Sequence, residues 1–370
     1  MPPESPESRR PMASGYGSEG RISPTEADNA ASESLELVYV VGHHRSGATA
    51  LGAVLASDPR IFFAGELYRF PVPIWSSEDP RRACSCGQPV LQCPFWSVIR
   101  REAERGGLSD RLRAGQVRYE RWSALPRTLL ARWTGSESLD AYARTMGDFL
   151  RLLKAHSHSP IIVEFGPSAL RGVVYRSARA HGVNVRFLHL VRDGRGFLAS
   201  ELRTGHDPEA PNDWIRNPLL VVGRWVGMNL AALLLCARDP SRYRRVRFEE
   251  LLLEPSRTLL EIGRFLGIDL SRTAERVEAR RPIPMRHIAA GNRTRLQGEI
   301  VLDQEIVAPA RLSRPTRVIY WAVAGWLAGF FGYRLDLSRR TRAARHTDSP
   351  DPEGTPGSAN PVTPSRPSGR

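Results

Sequence analysis

A short glycine-containing stretch near the N-terminus has the residue types of a phosphate-binding loop. An apolar run leads into Gly42, and the chain then reads GHHRSGAT as far as Thr49. Nucleotide-binding P-loops read G-x-x-x-x-G-K-[ST], and their lysine reaches the β- and γ-phosphates. Ala48 stands in the place of that lysine. The stretch therefore predicts a cradle for a nucleotide that has a 5′-phosphate group and no triphosphate tail.

The side chains and backbone of this stretch explain how it would hold a phosphate. Gly42 and Gly47 let the backbone turn tightly and approach an oxyanion. Backbone N–H groups at the start of the following helix favour an anion, and the helix dipole adds to this effect. Ser46 and Thr49 add hydroxyl donors, and Arg45 adds a fixed charge with forked donors. An ordinary glycine turn entering a helix is the alternative, and the strand–loop–helix context favours the phosphate site.

Two charged residues follow other apolar runs. Glu66 comes directly after RIFFAG, and Arg192 directly after RFLHLV. Ligands of parallel α/β sheets bind outside the carboxyl ends of the strands. We therefore expect the loop, the carboxylate and the guanidinium to lie at one edge of the sheet. Glu66 could instead be a structural carboxylate paired with Arg69. His43 and His44 are alternative bases, or they contact a ligand or face water.

Five short apolar runs predict the strands that position these residues. They lack clean alternation, as buried parallel strands do. The runs are Leu35–Gly42, Arg60–Glu66, Pro160–Phe165, Asn184–Arg192 and Tyr243–Glu250. Helical patterns separate them, for example TALGAVLAS, RWVGMNLAALLLCA and SRTLLEIGRFLGI. Strands that alternate with helices predict an α/β fold, a P-loop NTPase-like, doubly wound and mainly parallel sheet with helices on both faces.

Composition sets the limits of the folded part. Residues 1–34 are polar and rich in Pro, Ser and Glu, and residues 341–370 have the same character, which predicts disordered tails around a folded part at 35–340. The net charge of +14 would suit a nucleic-acid partner. However, the basic residues are scattered, and Lys154 is the only lysine, so the charge reads as a compositional arginine bias and no nucleic-acid partner is expected. The polar N-terminal residues contain no signal-like apolar run, and the expected location is the cytoplasm.

Three cysteines lie close together in a loop-like segment. Cys84, Cys86 and Cys93 form C-x-C-x6-C, with Cys236 far away in an apolar helix. Three thiols could bind zinc, but the local sequence offers no fourth ligand at a usual spacing. The sequence therefore favours a loop of buried thiols and no metal, with zinc as the alternative.

The segment Val318–Tyr333 is apolar, uncharged and flanked by arginines. As a helix of 16 residues it would span about 24 Å, which is shorter than a hydrocarbon core of about 30 Å. We expect a docked C-terminal helix, with peripheral membrane contact through 318–333 as the alternative.

Several motifs together resemble the sulfotransferases that use 3′-phosphoadenosine 5′-phosphosulfate (PAPS). HRSGATAL resembles their 5′-phosphosulfate loop, and LHLVRDGRGFLAS resembles their 3′-phosphate segment, in which a serine follows an arginine by eight residues. RWVGMN, RYRRVRFEELLLEPS and HIAAGNRTR resemble later motifs in the same order. The resemblance runs from about residue 37 to 295. The segment CSCGQPVLQCPFW is similar to an insertion seen in bacterial members of the family. Within the family, the chain resembles the enzymes that act on glycans and on protein tyrosines.

The resemblance implies a donor, a reaction and a set of site residues. The donor has a 5′-phosphosulfate and a separate 3′-phosphate, which requires two phosphate sites and no metal. Glu66 would be the carboxylate base, and Arg45 would neutralise charge on the transferring group. Residues 68–147 would build the acceptor side of the catalytic domain at 35–340. The residues that would bind the nucleotide are Arg45, Ser46, Gly47, Ala48, Thr49, Arg192, Ser200 and Arg295.

Two departures from the family pattern keep other functions open. Ala48 replaces a threonine, and VEFGPSALR at 163–171 lacks the lysine that related proteins often carry near the leaving oxygen, a role that Arg171 could take. A non-catalytic protein that binds adenosine 3′,5′-bisphosphate is one alternative, and a P-loop phosphotransferase is another. The acceptor hydroxyl, whether on a small molecule, a glycan or a lipid, cannot be read from the sequence.

Overall fold

The computed structural model describes residues 35–70, 83–204, 217–302 and 312–334. The predicted tails at 1–34 and 341–370 lie outside these residues, and so does the part of the predicted insertion at 71–82. The chain divides into two compact units, Met1–Arg192 with Gly227–Leu302, and Asp193–Val226 with Asp303–Arg370.

The first unit is built on a parallel sheet of five strands. The strands are β1 (Leu35–Val41), β2 (Ile61–Gly65), β3 (Ile161–Gly166), β4 (Val183–Val191) and β5 (Tyr243–Arg247). They lie in the order β2-β3-β1-β4-β5. Strand β1 pairs with β3 on one side and β4 on the other, and its last residue Val41 is in register with Gly166 and His189. The carboxyl ends of β1, β3 and β4 therefore meet at one edge of the sheet.

Twelve helices accompany the strands along the described residues. They are α1 (Ala48–Leu55), α2 (Trp96–Arg105), α3 (Leu108–Tyr119), α4 (Leu125–Thr134), α5 (Glu137–Ser157), α6 (Ala169–Ala178), α7 (Gly194–Thr204), α8 (Pro218–Cys236), α9 (Phe248–Leu253), α10 (Pro255–Leu266), α11 (Ser271–Glu278) and α12 (Arg314–Phe330). Two short strands, β6 (Ile283–Pro284) and β7 (Glu299–Ile300), form an antiparallel pair.

Burial on both faces explains why the strands read as continuous apolar runs. Leu37 and Tyr39 of β1 belong to the main core, together with Leu150 of α5 and Val174 of α6. On β2, Phe62 faces that core, and its neighbour Phe63 lies against Gly52 of α1. Side chains of a strand alternate between faces, so helices cover both sides. This confirms the predicted doubly wound parallel α/β fold.

One of the predicted strands ends earlier than the sequence suggests. The run Tyr243–Glu250 was expected to be extended throughout, but β5 ends at Arg247 and α9 begins at Phe248. Phe248 is buried, and Glu249 and Glu250 stand in the first turn of α9, where carboxylates suit the helix dipole. The prediction for residues 248–250 was wrong because an apolar aromatic residue fits a strand and a buried helix start equally well.

The second unit contains α7, the first part of α8 and α12. Helix α12 buries Tyr320, Ala324, Leu327 and Ala328 on one face. The rings of Tyr320 and Phe331 lie 6.1 and 6.0 Å from that of Trp225. The apolar segment at 318–333 is thus a docked helix, as predicted. Among the described residues only α8 is long and apolar enough to cross a membrane, which is weak evidence because core helices pass the same test.

Candidate functional site

The opening loop, Gly42–Gly47, joins β1 to the N-terminus of α1 with two residues in the left-handed backbone region. Gly47 has φ 94°, and Arg45 has φ 63°. A Cβ on Gly47 would also overlap the ring of Phe248, so both the backbone angle and the packing require glycine there. The α-helical ladder starts at this point, since the Leu51 N–H donates to the Gly47 carbonyl oxygen at 3.0 Å. The free N–H groups of the first turn of α1 follow the loop directly.

Ser46 is a buried hydroxyl at the centre of the opening loop. Its side chain is fully buried, and its Oγ has no hydrogen-bond partner in the part of the chain that the structure describes. A buried hydroxyl without a partner costs free energy unless something satisfies it. This arrangement fits a site whose missing partner is an anionic ligand.

His43 has a structural place in the same loop. Its ring is fully buried, and Nδ1 lies 2.7 Å from the carbonyl oxygen of His44, to which it donates. Burial lowers the pKa of the His43 imidazole to about 3. His44 is half-buried, and its ring lies 6.2 Å from that of Tyr68. His43 is therefore neutral at pH 7 and a weak proton acceptor.

Arg192 follows β4 and lies against the opening loop. Its Nη1 donates to the carbonyl oxygen of Arg45 at 3.0 Å. The guanidinium also lies over the ring of Phe248, 5.3 Å from the centroid. The structure thus brings together two of the predicted nucleotide-binding residues, Arg45 and Arg192. Phe248 packs against both the loop and Arg192, a role that the sequence did not signal.

Glu66 follows β2 and is nearly buried, with 8% of its surface exposed. Its Oε2 accepts hydrogen bonds from Tyr68 Oη at 3.0 Å and from Arg69 Nε at 2.6 Å. The alternative pairing with Arg69 is therefore present. Both bonds fall on one oxygen, and within the described ranges no hydrogen bond falls on Oε1. This leaves Oε1 as the carboxylate oxygen that receives no hydrogen bond from Tyr68 or Arg69.

A late loop, residues 287–295, touches both the opening segment and Glu66. The N–H of Asn292 donates to Thr49 Oγ1 at 3.2 Å, and the N–H of Glu66 donates to the Ala290 carbonyl oxygen at 3.2 Å. A Cβ on Gly65 would overlap that same carbonyl oxygen, and Gly65 has φ 77°. The late loop therefore joins the base candidate to the phosphate-loop candidate.

Arg295, at the end of the late loop, points its guanidinium into the protein. The residue is 4% exposed, and its Nη1 and Nη2 donate to the carbonyl oxygens of Gly291 at 2.9 Å and Ala83 at 3.2 Å. Burial lowers the pKa of Arg295, and the smaller effect of the Glu66 charge raises it. The structure gives Arg295 a place inside the loop, and its contact with a nucleotide stays a prediction.

Ser200 lies in α7, which belongs to the second unit. Its predicted role at the 3′-phosphate stays a prediction.

Arg171 was considered a substitute for the missing lysine, and the structure gives it a different place. It is 1% exposed, its Nε donates to Glu164 Oε1 at 2.6 Å, and its Nη1 contacts both oxygens of Glu120 at 2.8 Å. Burial alone would lower the pKa of Arg171, but the two carboxylates raise it well above its ordinary value. Tyr175 Oη donates to Glu164 as well. Arg171 is thus committed to a buried ion network.

The residue that follows β3 at the same edge is Pro167. Because Val41 is in register with Gly166, Pro167 and Gly42 both lie one residue beyond the paired strand ends. This is the segment where the family pattern has a lysine.

A buried polar network at the β4–β5 pairing was also missed by the sequence reasoning. His189 Nδ1 lies 2.7 Å from Tyr243 Oη, and Nε2 lies 3.0 Å from Asn229 Oδ1. Burial lowers the pKa of His189 to about 3. The sequence signal that could have indicated this network is His189 itself, a histidine flanked by apolar residues in a predicted strand.

The cysteine loop has the fourth partner that the sequence did not reveal. His287 lies beside Cys84, Cys86 and Cys93, and the ligand atoms of all four are within 4.8 Å of one another. The expectation that no fourth ligand is present was wrong, because the histidine comes from the late loop nearly two hundred residues further along the chain.

Comparison with known proteins gave structural similarity only. No protein-family model and no curated protein matches the chain. The solved structures that it resembles include sulfotransferase domains. One, from the Synechococcus PCC 7002 olefin synthase, is 18% identical, with a TM-score of 0.44 over 81% of this chain and 96% of that one. Another, from the curacin biosynthetic pathway, is 16% identical, with a TM-score of 0.46 over 82% and 99%.

A third similar structure is a sulfotransferase from Mycobacterium avium, which is 13% identical, with a TM-score of 0.44 over 81% of this chain and 78% of that one. Similarities of this size leave the function to be argued from the residues of the site.

Proposed function

We propose that the protein is a sulfotransferase that binds PAPS at the opening loop and moves its sulfonyl group to a hydroxyl of an acceptor. The observation that carries this proposal is a lysine-free phosphate loop with a buried, unsatisfied Ser46 hydroxyl, beside an arginine that reaches it from a neighbouring strand. A triphosphate has no lysine here to meet its γ-phosphate. A nucleotide with phosphates at two separate positions suits this site, because the opening loop can bind one phosphate and Arg192 the other.

The opening loop would hold the 5′-phosphosulfate. The N–H groups of Gly47, Ala48 and Thr49 stand at the start of α1, where an anion is favoured. The Ser46 hydroxyl would donate the hydrogen bond that it lacks within the described residues, and the Thr49 hydroxyl can donate while it accepts from Asn292. Arg45 supplies charge at the same place. Arg192, with Ser200 as its proposed partner, would bind the 3′-phosphate.

Glu66 is the proposed general base. When bound, the donor supplies a sulfonyl group on a good leaving group, adenosine 3′,5′-bisphosphate. The acceptor oxygen forms a bond to sulfur in line with the breaking bond between sulfur and the phosphate oxygen. Glu66 Oε1 takes the acceptor proton, and Arg45 neutralises charge on the transferring and leaving groups. Tyr68 and Arg69 hold the other carboxylate oxygen and so fix its orientation.

The environment of His43 favours Glu66 over it as the base. A catalytic base must lie within reach of the proton that it removes. His43 is buried, donates to a backbone carbonyl and has a pKa of about 3.

The acceptor is proposed by its chemical class, and the cellular location and partners of the enzyme are proposed with it. The acceptor carries a hydroxyl on a small molecule, a glycan or a lipid. The predicted acceptor segment, residues 68–147, begins two residues after Glu66 in the sequence, and the structure describes 68–70 and 83–147 of it. We place the enzyme in the cytoplasm, without a nucleic-acid partner. Peripheral membrane contact through 318–333 is consistent with the exposed side chains of Val318, Trp326 and Phe330.

A donor-consumption assay tests this function across a panel of sugars, phenols, lipids and peptides. With a working acceptor, Glu66→Gln should lower kcat by about 10²–10⁴-fold because the amide cannot accept the proton. Its affinity for adenosine 3′,5′-bisphosphate should stay within about twofold of the wild type.

Arg69→Gln is the matched control, because it breaks the ion pair and keeps the carboxylate. We expect it to change kcat by less than about tenfold. Equal losses in both variants would mean that the pair, and not the carboxylate as a base, is what the reaction needs.

A non-catalytic protein that binds adenosine 3′,5′-bisphosphate is the second candidate. It is favoured by Pro167, which follows β3 at the edge of the sheet where the family pattern has a lysine. It is also favoured by the ion pairs that hold Arg171 to Glu120 and Glu164. Tight bisphosphate binding without transfer to any acceptor, followed by transfer in Pro167→Lys, would support it. Magnesium-dependent ATP turnover would instead support a P-loop phosphotransferase.

A further inference from the structure

Four side chains from two distant segments place their ligand atoms together. Cys84, Cys86 and Cys93 come from one loop, and His287 begins the late loop. His287 Nδ1 lies 3.3 Å from Cys93 Sγ and 3.9 Å from Cys84 Sγ. The Sγ atoms of Cys86 and Cys93 are 3.7 Å apart. The four ligand atoms, three Sγ atoms and one imidazole nitrogen, all lie within 4.8 Å of one another.

The three distances of 3.3, 3.9 and 3.7 Å are close to the edges of a tetrahedral zinc site. Bonds of about 2.3 Å to sulfur and 2.0–2.1 Å to nitrogen at tetrahedral angles place sulfur atoms about 3.8 Å apart and sulfur about 3.6 Å from nitrogen. A disulfide does not account for the cluster, because its sulfur atoms would be about 2.0 Å apart. The four cysteines of the chain are all unbonded.

The surrounding contacts hold both segments in place. Gly87, with φ 84°, turns the chain between the first two cysteines and the third. The N–H of Ser85 donates to the Ile288 carbonyl oxygen at 3.1 Å, and the N–H of Ile288 donates to Ser85 Oγ at 2.8 Å. Each of these bonds ties the cysteine loop to the residue that follows His287.

Two aromatic residues contact His287, one at its ring and one at its backbone. The ring of Phe95 is stacked on it, with centroids 5.7 Å apart and planes 12° apart. Trp96 Nε1 donates to the His287 carbonyl oxygen at 2.8 Å. These two contacts fix the place of His287 beside the cysteine loop.

We propose that Cys84, Cys86, Cys93 and His287 bind one Zn²⁺ in a closed, tetrahedral, structural site. Thiolates with an imidazole in tetrahedral geometry suit Zn²⁺, and four protein ligands leave no open position for a reacting molecule. The metal would fasten the cysteine loop to the late loop, whose Ala290 and Asn292 contact Glu66 and Thr49. It therefore acts on the position of the loop and takes no part in the chemistry.

Metal analysis of the purified full-length protein tests this site without reference to sulfonyl transfer. The protein is expressed with added zinc, desalted and measured by plasma mass spectrometry, and the expected result is one zinc per chain. Cobalt replacement should give thiolate charge-transfer bands and the intense visible bands of tetrahedral Co²⁺. His287→Ala and Cys86→Ser should each lower the affinity for zinc by at least about 100-fold. Cys236→Ala removes the buried thiol of α8 and should keep the full metal content.

Cys86 is exposed, so Cys86→Ser is the variant least able to harm the fold. A chelator should lower the melting temperature of the wild type and leave that of Cys86→Ser unchanged. The proposal is overturned if the wild type holds no zinc and shows no tetrahedral cobalt spectrum. It is also overturned if His287→Ala and Cys86→Ser both hold zinc as tightly as Cys236→Ala does.

Discussion

At the scale of single residues, the opening loop has an arginine at a position whose backbone conformation favours glycine. Arg45 has φ 63°, a backbone region that costs a residue with a side chain about 1 kcal/mol or more. Its carbonyl oxygen accepts from Arg192, so this backbone angle also turns the Arg45 carbonyl towards the second cation. A strained arginine beside a buried, unsatisfied serine is best explained by a ligand that uses its charge.

Replacement of Arg45 by glycine separates strain from function. Arg45→Gly should leave the free energy of unfolding unchanged or raise it by up to about 1 kcal/mol, because glycine suits the backbone angle. The Kd for adenosine 3′,5′-bisphosphate should rise about tenfold or more through loss of a charge-assisted contact. Denaturant unfolding and calorimetric titration measure the two effects.

Arg45→Ala is the control for this variant, because it loses the charge and keeps the strain. We expect the same loss of affinity without the gain in stability. A variant Arg45→Gly that is less stable and binds as tightly as the wild type would show that Arg45 serves the fold.

Residue types and spacing predicted part of the site. The glycine spacing marked the opening loop, and the ends of apolar runs marked Glu66 and Arg192. Phe248 and His287 were missed because their roles depend on segments that lie far away in the chain. Such contacts leave no local pattern, and the four-ligand cluster was visible only after folding.

At the scale of elements, hydrophobic patterning predicted the five strands of the main sheet and four of the twelve described helices, α1, α8, α10 and α12. The alternation of buried runs with helical patterns predicted five strands along the chain and their parallel direction, and the order β2-β3-β1-β4-β5 came from the structure. The end of β5 was misplaced because Phe248 packs against Gly47 as the first residue of a helix. Tertiary packing, and not local preference, decides such boundaries.

The buried network of Arg171 joins three elements. Its partners are Glu164 on β3 and Glu120 at the end of α3, and Arg171 itself lies on α6. Arg171→Met should lower the free energy of unfolding by about 3–5 kcal/mol, because two buried carboxylates lose their cation. Chemical denaturation measures this change.

A second substitution separates this structural role from a catalytic one. Adding Glu164→Gln to Arg171→Met should recover part of the stability, since one uncompensated charge is removed. The bisphosphate Kd of the folded variants should stay within about twofold of the wild type. Unchanged stability together with a large rise in Kd would return Arg171 to the nucleotide site.

At the scale of the whole molecule, the charge of the chain is not gathered at the proposed site. Of the 53 basic residues, the geometry gives only a few to the opening loop and the adjacent strand end. Many others form pairs elsewhere, such as Arg186 with Glu36 and Arg244 with Glu261. We therefore expect ligand selection to depend on where the two phosphates of the proposed nucleotide bind, and not on the net charge of the chain.

The central claim is that this site distinguishes a nucleotide with a separate 3′-phosphate, and calorimetric titration of one variant tests it most directly. The wild type should bind adenosine 3′,5′-bisphosphate with a lower Kd than ATP or adenosine 5′-phosphate. Arg192→Ala should weaken bisphosphate binding about tenfold or more, since a charge-assisted contact contributes about 1.5–3 kcal/mol. The same variant should bind adenosine 5′-phosphate almost unchanged.

Arg186→Ala is the matched control, because it removes an arginine of β4, the strand that Arg192 follows. Arg186 pairs with Glu36, and its loss should leave both affinities unchanged. An equal loss for the bisphosphate and the 5′-phosphate in Arg192→Ala, or tighter binding of ATP by the wild type, would contradict the account.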